Sequence, residues 1–534
     1  MLMKKNAFIN ILFITPILIS FVFLKIYKID FDRKIFIDFF LIAIFFIIIY
    51  QAIKNALIKT IFQSLLFLIF SASIFFESIY TYLYKDVISM SSIYVILETN
   101  TTEATEYLAL YYDTNIFIFT VIIFSLYLFA QTTFILKYIS SKKKKENSIS
   151  IPYKKSIIAI IALPLIMYIS GIYKNNFFYI VVTSYNSYLD EISAFSALGN
   201  QKTRGQFLNV KHNSNEQELY IVVIGESANR NHMSLYGYDR NTSPNLKTIK
   251  NELYVFTDVI SPHSNTIRSL GKILTLGNYE HPDLRFKGSI LQLFNKAGFE
   301  TYWLSNQSPL SIFSTQVSML SRAADKTYFI NTLSNNTLAL YDEQLFPILN
   351  MILKQKKQKK IIFIHLLGNH SIYSKRYPPK FDVFSNNKTN KNVSKQAYKI
   401  INEYDNAMLY NDYILKGIID TIRKTNIKSF VLYFSDHGED VYDKMNNFGH
   451  AESFRTKPMF EIPFILWTSP DFLKNKSFVF DTNRKYMLDD VIYSIADIAD
   501  IKFNEFEAER SIFNNSFKVR KRLVVDSIDY EKMK

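Results

Sequence analysis

Apolar positions in this chain of 534 residues crowd between the N-terminus and Tyr173. A bilayer core takes about 20 apolar residues in helical form. Five runs qualify: Ala7–Leu24, Ile35–Ile53, Thr60–Tyr80, Thr114–Leu136 and Ser156–Tyr173. One such run alone reads as a buried core helix; five in succession predict a five-helix N-terminal transmembrane domain. The first run follows Lys4 and Lys5, as a signal peptide would. It lacks a small-residue cleavage site and further spans follow, so it is expected to stay as an anchor.

From Glu218 onward the pattern is that of a soluble domain. Short β-branched and aromatic runs alternate with helical stretches: Leu219–Ile224, Tyr254–Ile260, Glu300–Leu304, Lys360–Leu367, Phe430–Phe434 and Ile462–Trp467. This alternation predicts an α/β domain, a mostly parallel sheet sandwiched by helices. In such sheets ligands sit beyond the carboxyl ends of the strands, and the polar signals fall there. Gly225-Glu226-Ser227 ends the first run, Asn265-Thr266 follows the second, Gly368-Asn369-His370 ends the fourth, and Ser435-Asp436-His437-Gly438-Glu439 ends the fifth.

The expected organisation is a transmembrane domain at 1–173 with an outer loop at 81–113, a connector at 174–217, and a catalytic domain at 218–534. The connector is aromatic and amphipathic, suited either to interfacial helices or to an ordinary linker. Lysines orient the spans. Lys142–Lys145 with Lys154 and Lys155 place the fourth loop in the cytoplasm, and Lys54 and Lys59 agree. Lys28, Arg33 and Lys34 in the first hairpin weigh the other way. Five spans from a cytoplasmic N-terminus put the soluble domain outside.

Net charge is +15. With no recognisable nucleic-acid module, an anionic membrane surface is the expected partner and nucleic acid is not. Cysteine is absent. That excludes disulfides, thiolate metal ligands and a cysteine nucleophile. Any metal must be held by His, Asp, Glu or a hydroxyl oxygen.

Glu226, Asp436 and His437 are two carboxylates and an imidazole at adjacent strand ends, a set suited to zinc or a similar divalent ion. Thr266 would add its hydroxyl, which metal coordination activates as a nucleophile. A helix starting at Thr266 would offer its N-terminal amides to phosphate. Taken singly, each signal has a plain structural reading: a threonine before a helix is usually a cap, and His370 and His450 alone read as surface histidines.

The ordered set resembles a known family. Val222-Val223-Ile224-Gly225-Glu226-Ser227-Ala228-Asn229-Arg230, Ser234–Arg240 and Pro244 resemble the opening signature of bacterial lipid-dependent phosphoethanolamine transferases, of the alkaline phosphatase/sulfatase superfamily. The likeness continues through Ser264–Ser269, His365–His370, Arg376-Tyr377-Pro378, Tyr404-Asp405-Asn406, Ser435–Glu439 and Gly449-His450-Ala451-Glu452. It implies Zn2+ held by Glu226, Thr266, Asp436 and His437, with Thr266 the nucleophile. His370 and His450 resemble histidines near the transferred phosphate or a second metal. Thr99 and Glu103 resemble residues that contact the ethanolamine headgroup, although Val95 stands where some relatives carry asparagine. Many relatives brace the soluble domain with disulfides, which this chain cannot.

The resemblance further implies a phosphatidylethanolamine donor and an envelope acceptor: a lipid A phosphate, a lipopolysaccharide core sugar, or another surface glycan or protein. Thr266–Asp283 and the Thr99-Asn100 pair are closer to the branch that modifies lipopolysaccharide core or diverse acceptors than to the lipid A branch. It implies a multi-pass protein of the bacterial inner membrane, its catalytic domain in the periplasm, expected as a monomer. Such modification of lipid A is tied to antimicrobial peptide resistance. Two other readings stand beside it. One is a glycerol-phosphate transferase, hydrolase or sulfatase of the same superfamily; a sulfatase uses a modified cysteine or serine, and this position is threonine. The other is a non-catalytic membrane binding or sensory protein, which would ordinarily have lost a ligand or the nucleophile.

Overall fold

The computed structural model describes residues 2–99, 101–144, 153–199, 205–309, 316–331, 341–385, 391–452, 454–474 and 478–533. Asn100, Lys145 and most of the polar stretch Ser385–Lys391 lie outside the described residues. The chain divides into two compact units: Met1–Ile96 with Thr101–Leu189, and Leu97–Asn100 with Asp190–Lys534.

In the first unit, helices α1 (Leu2–Ile26), α2 (Arg33–Ala52) and α3 (Ala56–Tyr84) follow one another through tight, capped turns. Asp32 caps α2 by accepting from Lys34 N and Ile35 N, and Asn55 caps α3 through Leu57 N and Ile58 N. Both side chains satisfy backbone donors that a helix start otherwise leaves open. Phe13, Phe39, Phe67, Phe70 and Phe134 interlock inside the bundle. Ile61, Phe124 and Leu136 stay exposed on its outside, the arrangement that a lipid solvent favours.

The predicted outer loop at 81–113 is largely helical. After α3 come α4 (Met90–Glu98) and α5 (Thr101–Tyr111), then α6 (Thr114–Lys144). Glu77 holds the turn into α4 by accepting from Ile88 N at 3.0 Å, and the Tyr84 and Tyr107 hydroxyls bond at 2.7 Å. Four helices are long and apolar enough to cross a membrane among the described residues: Phe8–Ile26, Arg33–Ala52, Ala56–Tyr84 and Thr114–Ser141. The fifth predicted span is a shorter helix, α7 (Tyr153–Ile169), with an apolar stretch of Ile158–Ile169. It contains Pro164, and Gly171 at φ 70° follows its end; a left-handed glycine just past a helix is a common stop. The connector is chiefly one helix, α8 (Phe177–Gly199).

The second unit is built on a seven-stranded sheet. Its strands are β1 (Glu218–Gly225), β2 (Leu253–Phe256), β3 (Glu300–Ser305), β4 (Lys326–Phe329), β5 (Lys359–His365), β6 (Lys428–Ser435) and β7 (Phe464–Thr468), in the order β2-β7-β6-β1-β5-β3-β4. Leu219 to Ile224 are wholly buried, because helices cover both faces of a central parallel strand. The pairs β1–β6, β1–β5, β5–β3 and β3–β4 are parallel. β7 runs antiparallel to both β6 and β2. The predicted run Tyr254–Ile260 is split: β2 ends at Phe256, and Val259–Ile260 pairs instead with Tyr486–Met487. Asp258, which accepts from Arg522 Nη1 at 2.6 Å, sits at the break. The helix α9 (Thr266–Ile273) and the 29-residue helix α10 (Lys395–Arg423) position the residues of interest below.

Candidate metal and phosphoryl-transfer site

Register brings the two carboxylates together. Gly225 on β1 pairs with Ser435 on β6, so the next residues, Glu226 and Asp436, leave the same edge of the sheet side by side. β5, on the other flank of β1, ends at His365 beside Ile224. The turn after it crosses Glu226: Asn369 N donates to Glu226 O at 2.9 Å. Glu226, Asp436 and His437 are buried, and each offers a ligand atom within 4.8 Å of the others.

Thr266 reaches this group from the first turn of α9. Its Oγ1 donates to Glu226 Oε2 at 3.1 Å and lies 3.4 Å from His437 Nε2. Asn265 caps the helix by accepting from Arg268 N at 3.1 Å. The cap is therefore Asn265, not Thr266, and the Thr266 hydroxyl faces the carboxylates.

The surroundings fix each ligand atom. His437 Nδ1 donates to Gly438 O at 2.8 Å, which turns Nε2 toward Glu226 Oε1 at 3.3 Å. Orientation of one imidazole nitrogen by a hydrogen bond at the other is typical of metal-binding histidines. Gly438 packs so closely that a Cβ would meet Pro458 O at 2.2 Å. Asp436 Oδ1 accepts from Ser227 N and His437 N. Its Oδ2 is buried with no hydrogen-bond partner among the described residues, and the nearest basic atom is His437 Nε2 at 3.6 Å. A carboxylate oxygen so placed costs several kcal/mol as a bare charge, on the order of the desolvation penalty for an ion. Facing a second carboxylate, an imidazole and a hydroxyl, it fits a divalent cation. This donor set of nitrogen and oxygen suits zinc.

The electrostatics agree. Burial opposes ionisation of Glu226, but its hydrogen bond to His437, with the charge of His370 nearby, holds it well below the usual carboxylate range. Burial and the adjoining Glu226 charge push Asp436 up to about 8. Burial works to lower His437, yet the charge of Asp436 and its bond to Glu226 raise it to about 10. Without a metal, Asp436 and His437 therefore hold their protons beside an ionised Glu226; strongly shifted groups at strand ends are a mark of functional sites.

A second group adjoins the first. Asp440–Val441 pairs with Phe448–Gly449 as a short antiparallel ladder, which sets Glu439 opposite His450. His450 Nδ1 donates to Glu439 Oε2 at 2.6 Å, and Tyr373 OH donates to Glu439 Oε1 at 2.6 Å. The rings of His437 and His450 are 4.4 Å apart, centre to centre. His437, Glu439 and His450 form a second set able to hold a metal. His370 is half-buried in the turn after β5 and belongs to neither set. Thr99 lies between α4 and α5, and the side chain of Glu103 is outside the described residues.

Sequence reasoning assigned no role to Gln307, Ser227, Glu439, Glu452 or His263. Gln307 Nε2 donates to Glu226 Oε2 at 3.2 Å, and Ser227 Oγ donates to Glu226 Oε1 at 2.7 Å. The available signal for Glu439 and Glu452 was their place in the Asp436–Glu439 and Gly449–Glu452 runs; nothing local marks Gln307.

Comparison with known proteins is consistent with this geometry. Residues 218–501 match the sulfatase family. The chain is 31% identical over 473 residues to the phosphoethanolamine transferase EptC of Escherichia coli K12, covering 83% of this chain and 81% of that protein. It is 29% identical over 483 residues to the phosphoethanolamine transferase CptA of Salmonella typhimurium, covering 83% and 81%. The crystal structure of the C-terminal periplasmic domain of E. coli EptC, in complex with Zn, superposes with a TM-score of 0.59 at 33% identity, covering 61% of this chain and 96% of that one. The integral membrane lipooligosaccharide phosphoethanolamine transferase A of Neisseria meningitidis shares the fold over 95% of this chain and 98% of its own, with a TM-score of 0.66 at 17% identity.

Proposed function

This chain belongs to the phosphoethanolamine transferases of the alkaline phosphatase/sulfatase superfamily, and from that premise we propose that Thr266 carries a phosphoethanolamine group from phosphatidylethanolamine to an acceptor of the bacterial envelope. The observation that carries the reading is the Thr266 hydroxyl, 3.1 Å from Glu226 Oε2 and 3.4 Å from His437 Nε2, at the start of a helix.

Glu226, Asp436, His437 and the Thr266 hydroxyl are the residues that would hold zinc. Bound there, the ion supplies a Lewis acid that lowers the hydroxyl pKa and draws charge from the phosphoryl oxygens. The chain's own residues do the rest. Glu226 takes the hydrogen bond of the Thr266 hydroxyl and so aims its lone pair outward. A Thr266 Oγ–phosphorus bond forms as the bond from phosphorus to the diacylglycerol oxygen breaks, the hydroxyl proton leaving along its hydrogen bond to Glu226. His450, with Nδ1 committed to Glu439, presents Nε2 to protonate that oxygen; His370 is the other candidate. Amides at the α9 N-terminus face the phosphoryl group. In the second step an acceptor phosphate or hydroxyl oxygen attacks phosphorus, His450 Nε2 takes the proton of a hydroxyl acceptor, and Thr266 Oγ leaves and regains its proton along the bond to Glu226. Two in-line displacements leave the configuration at phosphorus retained.

The membrane half gives this reading its logic, since donor and leaving group are both lipids. We take the spans to be five, α7 being the last, in a transmembrane domain at 1–173, followed by a connector at 174–217 and a periplasmic catalytic domain at 218–534. Helix α8 exposes Tyr179, Val182, Tyr185 and Leu189 at intervals of three and four residues. That stripe suits a helix lying in the membrane surface. The acceptor is a lipid A phosphate, a core sugar, or another glycan or protein hydroxyl. Thr266→Ala tests the assignment: the full-length variant in detergent should keep its fold and lose transfer from labelled phosphatidylethanolamine. Normal transfer by that variant would sink it.

A further inference from the structure

Glu452 lies two residues beyond His450, yet it bonds to three side chains around Thr266. Its Oε1 accepts from His263 Nδ1 at 2.8 Å and from Asn265 Nδ2 at 2.9 Å, and its Oε2 accepts from Arg268 Nη1 at 3.1 Å. The bond to Asn265 has a specific consequence. With Nδ2 held by the carboxylate, Oδ1 of Asn265 is the atom left to cap Arg268 N. Glu452 therefore sets the orientation of the cap that starts the helix bearing Thr266. Ser264 Oγ adds a second tie to the same loop, donating to His450 O at 2.7 Å.

Asp526 holds the helix from the other side. It belongs to the C-terminal segment, beyond the residues matched to the sulfatase family. It accepts from Arg268 Nη2 at 3.1 Å and also bonds to Lys272. Val525 N donates to Pro262 O at 2.9 Å, which seats the segment against the stretch leading to Thr266. A carboxylate with three donors, 6% exposed, contributes modestly to stability, because desolvation offsets attraction. It does fix geometry, and a displacement of about 1 Å at a reacting atom costs about 100-fold in rate.

We propose that Glu452 and Asp526 are positioning residues for the Thr266 hydroxyl, Glu452 acting through the Asn265 cap and Asp526 through Arg268. The proposal rests on Thr266 being the nucleophile. The test uses the full-length protein in micelles containing phosphatidylethanolamine, following both steady-state turnover and the build-up of the Thr266 adduct by peptide mass spectrometry. For Glu452→Gln we expect kcat and the adduct rate to fall at least 10-fold, with KM changed by less than about 2-fold. Asn265→Ala should show the same split. The double variant should be no slower than the slower single variant, as for residues acting through one contact. Wild-type kcat in Glu452→Gln, losses that multiply in the double variant, or a rise in KM alone would overturn the proposal. Should Glu452→Gln fail to fold, Asp526→Asn, at a side chain 42% exposed, carries the test: a lower kcat at constant KM supports the proposal, and wild-type kcat overturns it. If wild type itself forms no adduct on Thr266, the nucleophile assignment has failed, a result distinct from an adduct that forms equally fast in wild type and Glu452→Gln.

Discussion

At Gly368 one hydrogen atom decides where Glu226 can sit. A Cβ there would lie 2.9 Å from Glu226 N and 3.0 Å from Glu226 O, and the backbone is left-handed at φ 53°. Asp342 accepts from Gly368 N at 3.0 Å and pins the turn from behind. Gly368→Ala is expected to cost about 1–3 kcal/mol of stability through backbone strain and crowding. Because the strain presses on Glu226, turnover should fall as well, by about 100-fold for a shift near 1 Å. Thermal unfolding and turnover of the full chain check both; a variant unchanged in either contradicts this role for the glycine. At this scale much of the site was legible. Glu226, Asp436 and His437 stand directly after apolar runs, and the register of those strands brings them together. What could not be read was the company they keep. Gln307 and His263 are long-range neighbours, set by how loops cross the strand ends, and no local pattern announces such contacts.

The elements around the site are bound by buried polar bridges rather than by sheet contacts alone. His232, in the loop after β1, is fully buried between Asp405 of α10 at 2.7 Å and Asp443 at 3.2 Å. Tyr404 of α10 donates to Ser227 O and accepts from Asn229 N, so α10 shapes the Glu226 loop. Burial works to lower His232, but the charges of Asp443 and Asp405 raise it to about 9. A raised folded-state pKa stabilises most at pH below the unfolded value, about 6.5, and that contribution is lost as pH rises through about 9. We expect the unfolding free energy to drop by a few kcal/mol, on the order of 3, across that window. Chemical denaturation between pH 6 and 9.5 measures it, and His232→Asn should flatten the slope. Parallel curves for wild type and variant would contradict the bridge. The sequence pattern located five of the six predicted strands as single elements, since four are buried parallel strands that read as unbroken apolar runs, and antiparallel β7 is buried in the same way. It missed β4, whose Lys326–Phe329 carries little apolar signal at a sheet edge. It joined β2 to Val259–Ile260 because Thr257 and Asp258 do not interrupt an extended pattern strongly enough to reveal the break.

At the scale of the whole molecule, the count of spans decides which side of the membrane holds the site. Four helices meet the length and hydropathy of a span, and α7 is shorter, with 17 residues. At about 1.5 Å per residue α7 covers about 25 Å, close to the bilayer core of about 30 Å. Fluorescent-protein fusions read the answer directly. A fusion between α6 and α7 should fluoresce, and one at the C-terminus, carried to an oxidising exterior compartment, should not. Fluorescence at both would mean four spans and a cytoplasmic catalytic unit, which is incompatible with the proposed function. Apolar runs announce the membrane half because lipid imposes composition over long stretches; the helices α4 and α5 inside the predicted outer loop are under no such constraint and leave no comparable signal in the sequence.

The central claim is that Thr266 carries the transferred group, and the direct measurement is peptide mass spectrometry of the purified full-length protein quenched during turnover on phosphatidylethanolamine. The account predicts a phosphoethanolamine adduct on the peptide containing Thr266, absent from Thr266→Ala and lost on adding acceptor. An adduct on another residue, an adduct with the mass of glycerol phosphate, or turnover with no adduct on Thr266 would contradict it.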